Sequence, residues 1–173
     1  MAITEVLLDG THDSLQLRNA LGRFPTGVTV VTTRAPGAKR EGLTENSFSA
    51  LSLSPPLPGF LASGHFAINV LASTQSDVSH HFATPNADKF AGLAIEYGIG
   101  ESPLLPGVLA VFECSTERSL EAGDHVLFVG RMHRVRYGDG DPLFFNASRY
   151  CKALPMRSTT AESDLDLVWG GLG

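Results

Sequence analysis

The spacing of apolar positions changes several times along the chain, and each change marks an element. From Ser14 the run SLQLRNALGRFPTG places Leu17, Ala20, Leu21 and Phe24 at helical spacing. Ser14 can cap that helix, and Pro25 with Gly27 stops it. GVTVVTT comes next, a β-branched run that predicts a strand. APGAKREG reads as a turn, which makes residues 41–56, EGLTENSFSALSLSPP, the partner strand of a hairpin. Residues 65–72, HFAINVLA, alternate as another strand. STQSDVSHHFA predicts a helix with Ser73 or Thr74 as its cap and Val78 and Phe82 on one face. Residues 83–107, rich in proline and glycine, read mainly as loop. VLAVFECSTERSL and HVLFVGRMHRVRYG flank EAGD and predict two long paired strands. DGDP is a turn, PLFFN the last strand, and the tail after Leu154 is polar and aperiodic until VWGG.

Several strands with two short helices and no βαβ rhythm point to a barrel rather than a parallel sheet. At 173 residues the chain fits one domain, with a core over about 14–155 and a polar tail over 156–173. Hydrophobic residues make up 43% and charged residues 18%, a globular balance that needs neither a metal nor a disulfide to fold. The net charge of −5 argues against a nucleic-acid binder. Arg34, Lys39 and Arg40 form a small basic cluster that a solvated hairpin loop explains. Cys114 and Cys151 lie too far apart for a metal or redox motif and read as reduced core or wall cysteines. The opening MAITEVLLDGTHD is acidic where a signal peptide is basic, and no apolar run reaches the length of a membrane span. The expectation is a soluble, cytoplasmic protein.

Standard chemical motifs are missing. The sequence has no GxGxxG after a strand, no GxxxxGK[ST] and no GxSxG. Ser63 and His65 sit too close together on an alternating strand for a triad; His80 and His81 are helix neighbours, and His125 and His133 lack ligand spacing. No metal site is expected. What stands out is the hairpin strand, which carries Thr44, Asn46, Ser47, Ser49, Ser52 and Ser54. Taken alone, this run reads as a strand whose polar face meets water. His125, in GDH, likewise reads as a turn histidine beside Asp124.

The ordered set of segments changes both readings. RNALGRFPTGVTVVTT, GLTENSFSALSLSPP, FAINVL, Gln75 with HHFA, DKFAG, SPLLPG, FEC, GDHVLFVG and PLFFNASRYCKAL together resemble the flavin reductase-like family, from about Leu17 to Leu154. The resemblance implies an FMN-binding split β-barrel with Greek-key-like antiparallel strands. It also implies a homodimer that reduces FMN or FAD with NADH or NADPH, often serving the oxygenase component of a two-component monooxygenase. Thr44, Glu45, Asn46, Ser47, Phe48, Ser49, Ala50 and Leu51 would line the flavin, whose carbonyls, ring nitrogens and N–H suit hydroxyl and amide partners. His125 would be the catalytic residue beside nicotinamide and flavin, with Arg149 and Tyr150 also on the nicotinamide. Nucleic acid and membrane are not expected partners.

Two departures accompany the resemblance. Ser148 stands where the family carries glycine, before its basic residue and tyrosine. After SLSPPL the family continues with a further strand and loop that hold part of the ribityl and phosphate contacts, whereas here Leu57 meets Pro58 directly. The expectation is a molecule that carries such a segment, because its loss would open a gap in the barrel. Two other activities stay open at this point: a flavoprotein that keeps FMN and reduces another substrate, and a flavin carrier without turnover.

Overall fold

The computed structural model describes residues 14–37, 39–45, 51–53, 58–85, 88–123 and 125–154. In chain order these form α1 (Ser14–Leu21), β1 (Thr26–Gly27), β2 (Thr29–Arg34), β3 (Arg40–Glu45), β4 (Leu51–Leu53), α2 (Pro58–Ser63) and β5 (His65–Val70). Then come α3 (Ser76–Ala83), β6 (Glu96–Tyr97), β7 (Pro103–Leu104), β8 (Ala110–Ala122), β9 (His125–Tyr137), β10 (Phe144–Asn146) and β11 (Arg149–Cys151). The main sheet is antiparallel, in the order β3-β2-β5-β8-β9-β4. Two small sheets, β1-β10-β11 and β6-β7, complete the mainly β architecture that the strand rhythm predicts.

The outermost strands β3 and β4 are joined by residues 46–50 alone. The chain from Glu45 to Leu51 spans at most ~22 Å. Six strands laid flat would separate β3 from β4 by ~24 Å. The sheet therefore has to bend towards a barrel. Among the described residues no ladder joins β3 to β4, and the barrel stays open along that seam.

β2 is the centre of the packing. Val30 enters a cluster with Val28, Leu71, Phe82, Phe90, Leu105 and Leu143. Its neighbour Val31 enters another with Phe60, Phe66, Cys114, Val126 and Phe128. Successive residues of a strand point to opposite faces, so β2 is buried on both, which accounts for the unbroken β-branched run. Its buried threonines are satisfied internally: Thr29 donates to Glu45 O, Thr33 to His65 O, and Thr32 to Pro103 O. Asn69, fully buried on β5, donates to Val30 O and Thr32 Oγ1 and accepts from Leu105 N–H.

Several expectations need correction. α3 begins at Ser76 with Gln75 as its cap residue, and no side chain caps it. Gln75 instead accepts from Ala72 N–H and donates to Pro106 O, so the preceding turn takes up the polar groups that Ser73 or Thr74 was expected to serve. PLFFN is not the last strand, because the turn after it returns as β11. The loop-rich stretch contains the β6–β7 ladder.

The expected extra segment is absent, since the full sequence runs directly from Leu57 to Pro58. Pro58 instead opens the short helix α2, which sequence periodicity did not reveal. This helix sends Phe60 into the core against Phe128, ring centres 6.2 Å apart, and Gly59 N–H donates to Glu41 on β3 at 2.9 Å. It thus fills space beside the open seam.

A buried carboxylate fixes the β6–β7 loop to the long hairpin. Glu113 on β8 is 1% exposed, receives both guanidinium arms of Arg134 at 2.6 and 2.7 Å, and accepts from Ile99 N–H at 2.8 Å. The Arg134 hydrogen bonds hold its carboxyl below the usual range despite burial. That stability is present above the ordinary Glu pKa and is lost as pH falls through the lowered value. Glu113→Gln should therefore destabilise the fold by about 1–3 kcal/mol at pH 7. The deficit should shrink in acid, and urea denaturation across pH 3–7 measures both effects.

Candidate functional site

The hairpin register decides which polar residues of β3 can meet. Thr44 lies opposite Val30 and Glu45 opposite Thr29, so the two project to opposite faces of the sheet. The expectation that Thr44 and Glu45 line one surface together is not what the described strand provides.

On the first face Thr44 meets α3. Its hydroxyl donates to the carbonyl of Ser79 at 2.6 Å, and the hydroxyl of Tyr150 on β11 donates to Ser79 Oγ at 2.9 Å. Ser79 is fully buried, while Tyr150 remains 39% exposed. Phe145 supports the tyrosine ring from the neighbouring strand, ring centres 5.4 Å apart. Val28, Thr44, Ser79, Ala83, Phe145 and Tyr150 line a pocket of 260 Å³. This lies just below the ~300–1,000 Å³ of ordinary ligand sites, so it has room for a ring rather than a whole dinucleotide. Its lining combines apolar walls with a few convergent polar groups, which suits a flat heteroaromatic ring.

On the other face burial pushes the Glu45 carboxyl up to about 7, and the charge of nearby His125 pulls it part of the way back. His125 opens β9 and is exposed, opposite Ala122 across the hairpin end. A carboxyl that titrates near neutral can both give and take a proton.

Tyr150 owes its position to a tight turn. Asn46, Ser47, Phe48, Ser49 and Ala50 lie outside the described residues, and Leu51 is described as the first residue of β4, opposite Phe128. Ala147 and Ser148, by contrast, close the β10–β11 hairpin with φ of 47° and 63°. These left-handed values suit the glycine that the family carries, and the turn holds them without it. Arg149 is exposed one residue before the tyrosine. The basic cluster is engaged elsewhere: Arg34 pairs with Glu101 at 3.4 Å, and Arg40 pairs with Asp88 and covers the ring of Phe90. Ser79 was not singled out from the sequence. Its only signal there is a small polar residue on the apolar face of α3, beside Phe82.

A family model described as "Flavin reductase like domain" matches residues 21–154. The chain belongs to the flavin reductase-like family. It is 41% identical over 157 residues to an FMN reductase (NADH), SmoA, of Agrobacterium fabrum, covering 84% of this chain and 89% of that protein. It is 40% identical over 137 residues to the reductase component of a flavin-dependent trigonelline monooxygenase of Acinetobacter baylyi. That match covers 72% of this chain and 44% of the longer relative. Among solved structures, the NADH:FAD oxidoreductase SgcE6 of Streptomyces globisporus, in complex with NAD and FAD fragments, superposes with a TM-score of 0.78. The two are 29% identical, and the match covers 89% of this chain and all of that one.

Within this flavin reductase-like domain the raised Glu45 carboxyl has a definite consequence for stability. Its folded pKa lies above the ordinary 4.5, so its contribution is intact below pH 4.5 and is lost as pH rises through about 7. Glu45→Gln should remove that loss and be the more stable protein at pH 8, by something on the order of 1–3 kcal/mol. At pH 4 the two should melt together, which calorimetry on the flavin-free protein reads directly.

Proposed function

We propose that this protein is an NAD(P)H:flavin oxidoreductase that reduces FMN or FAD and supplies it to a partner oxygenase. Family membership supports the reaction class, and the relatives named for NADH favour that reductant. The relative named as a reductase component favours the oxygenase partner. The observation that carries the reading for this chain is the pocket shared by Thr44 and Tyr150. One comes from the strand assigned to the flavin, the other from the turn assigned to the nicotinamide.

In this reading Thr44 to Leu51 hold the flavin, and Arg149 and Tyr150 hold the nicotinamide. When both groups are bound, the chemistry supplied is hydride transfer between them. The chain's own part is to orient the rings and exclude water. Phe145, Val28 and Ala83 form the apolar walls, and the hydroxyls of Thr44 and Tyr150 supply directional contacts. His125 and Glu45 hold a mobile proton at the opposite face of the strand. The protein works as a single-domain cytoplasmic homodimer, with the second copy completing the groove left shallow in one chain. The phosphate contacts come from residues other than Arg34 and Arg40, which already have acidic partners.

Steady-state NADH oxidation with and without added flavin tests the reaction. Turnover should depend on added FMN or FAD and saturate in it. Flavin binding without turnover would replace the enzyme with a carrier, and turnover of another acceptor without added flavin would indicate a tightly held cofactor. His125→Ala should slow flavin bleaching by NADH in stopped flow, by roughly the 10²–10⁴-fold typical of a lost proton-transfer group or less. Flavin affinity should stay near wild type. Unchanged rates and NADH dependence would make His125 a turn residue only.

A further inference from the structure

Ser79 touches both sides of the pocket yet belongs to neither assigned motif. It sits in the fourth position of α3, fully buried, with Phe82 one turn on anchoring the helix in the core. Its backbone carbonyl takes the proton of Thr44, and a carbonyl can only accept. Its side-chain oxygen takes the proton of Tyr150. Both hydroxyls that line the pocket therefore spend their single proton on Ser79, and each is left with lone pairs.

We infer that Ser79 is a positioning residue that sets the hydrogen-bond polarity of this pocket. By fixing Thr44 and Tyr150 as acceptors, it selects a planar ring that carries an N–H donor. A hydroxyl free to rotate would accept or donate and would not discriminate. Two groups in the proposed reaction carry that chemistry, the carboxamide of the nicotinamide and the imide N–H of the flavin. A ring offering only a carbonyl oxygen at the same place meets lone pairs and leaves a polar group unpaired, the circumstance in which binding sites discriminate best. The inference rests on the reading of the protein as a flavin and nicotinamide binder, and it adds the residue and the selection rule.

Equilibrium binding of oxidised ligands tests it without turnover. One arm compares NAD⁺ with its 3-acetylpyridine analogue, in which a methyl ketone replaces the carboxamide. The other compares FMN with N3-methyl FMN. In the wild type one of these pairs should differ by roughly 3- to 10-fold in Kd, the worth of one hydrogen bond of about 0.5–1.5 kcal/mol. The pair that discriminates identifies the ring. Ser79→Ala releases the Tyr150 hydroxyl and Tyr150→Phe removes it, so both should bring that ratio towards one. Ser79→Thr keeps a side-chain acceptor and should keep the ratio. A purely structural role for Ser79 would lower the melting temperature of Ser79→Ala and leave the ratio where it was, overturning the inference. So would the absence of discrimination in both wild-type pairs, or an unchanged ratio in Tyr150→Phe, whose half-exposed ring tolerates the change. Wild-type protein that binds these ligands but never oxidises NADH would instead refute the proposed reaction, and the ratios would still decide the role of Ser79.

Discussion

Burial of β2 on both faces is the constraint on which the rest of the structure depends. A strand covered on one side only can leave its polar groups to water. β2 cannot, because Val30 and Val31 enter different clusters and leave no wet face. An unpaired polar group in such a place costs about 1–3 kcal/mol, so the threonine hydroxyls must find partners inside the protein. They find them on β3, on β5 and on the segment around Pro103, and Asn69 ties β2 to Leu105. These hydrogen bonds fix where the flanking elements lie as firmly as the apolar contacts do.

The site inherits its geometry from that strand. The β2–β3 register places Thr44 across from Val30, on the side where Phe82 packs, and so brings it over α3. The same register turns Glu45 to the opposite side, where burial raises its carboxyl and His125 partly offsets the effect. β1 and β10 are paired next to β2, and the turn after β10 brings Tyr150 back to the helix. Ser79 is where these paths meet. Two hydroxyls from segments far apart in sequence end on one residue, which makes the pocket wall rigid without a metal, a disulfide or a charge. The open seam between β3 and β4 lies along the same stretch of chain, and α2 rather than another strand borders it.

Much of this was readable in the sequence, and for local reasons. The β8–β9 hairpin, the β2–β3 hairpin and the helices α1 and α3 announce themselves through period, β-branching and turn residues, all of which act over a few positions. α2 did not, because PGFLAS is too short to show a helical period, and its helix is held by Phe60 in the core and by the Glu41 carboxylate. β11 was hidden because its turn uses Ala147 and Ser148 at positive φ where glycine would have signalled it. The order of the motifs carried the family and the reaction class, since residues that serve one cofactor have to recur in one order along a chain.

By itself, then, the sequence determined the strand-rich architecture, the family and the residue types offered to a flavin and a nicotinamide. Alternation and motif order depend only on near neighbours in the chain. Which of those residues meet was decided by tertiary structure alone. A one-residue step along β3 sends Thr44 to Ser79 and Tyr150 and sends Glu45 towards His125, and nothing in the order TE states which face will be covered by a helix. That is settled by how the sheet bends and where α3 packs, through contacts between residues dozens of positions apart. Hydrogen-bond direction and carboxyl pKa are properties of those contacts, and so they appear only when the chain is folded.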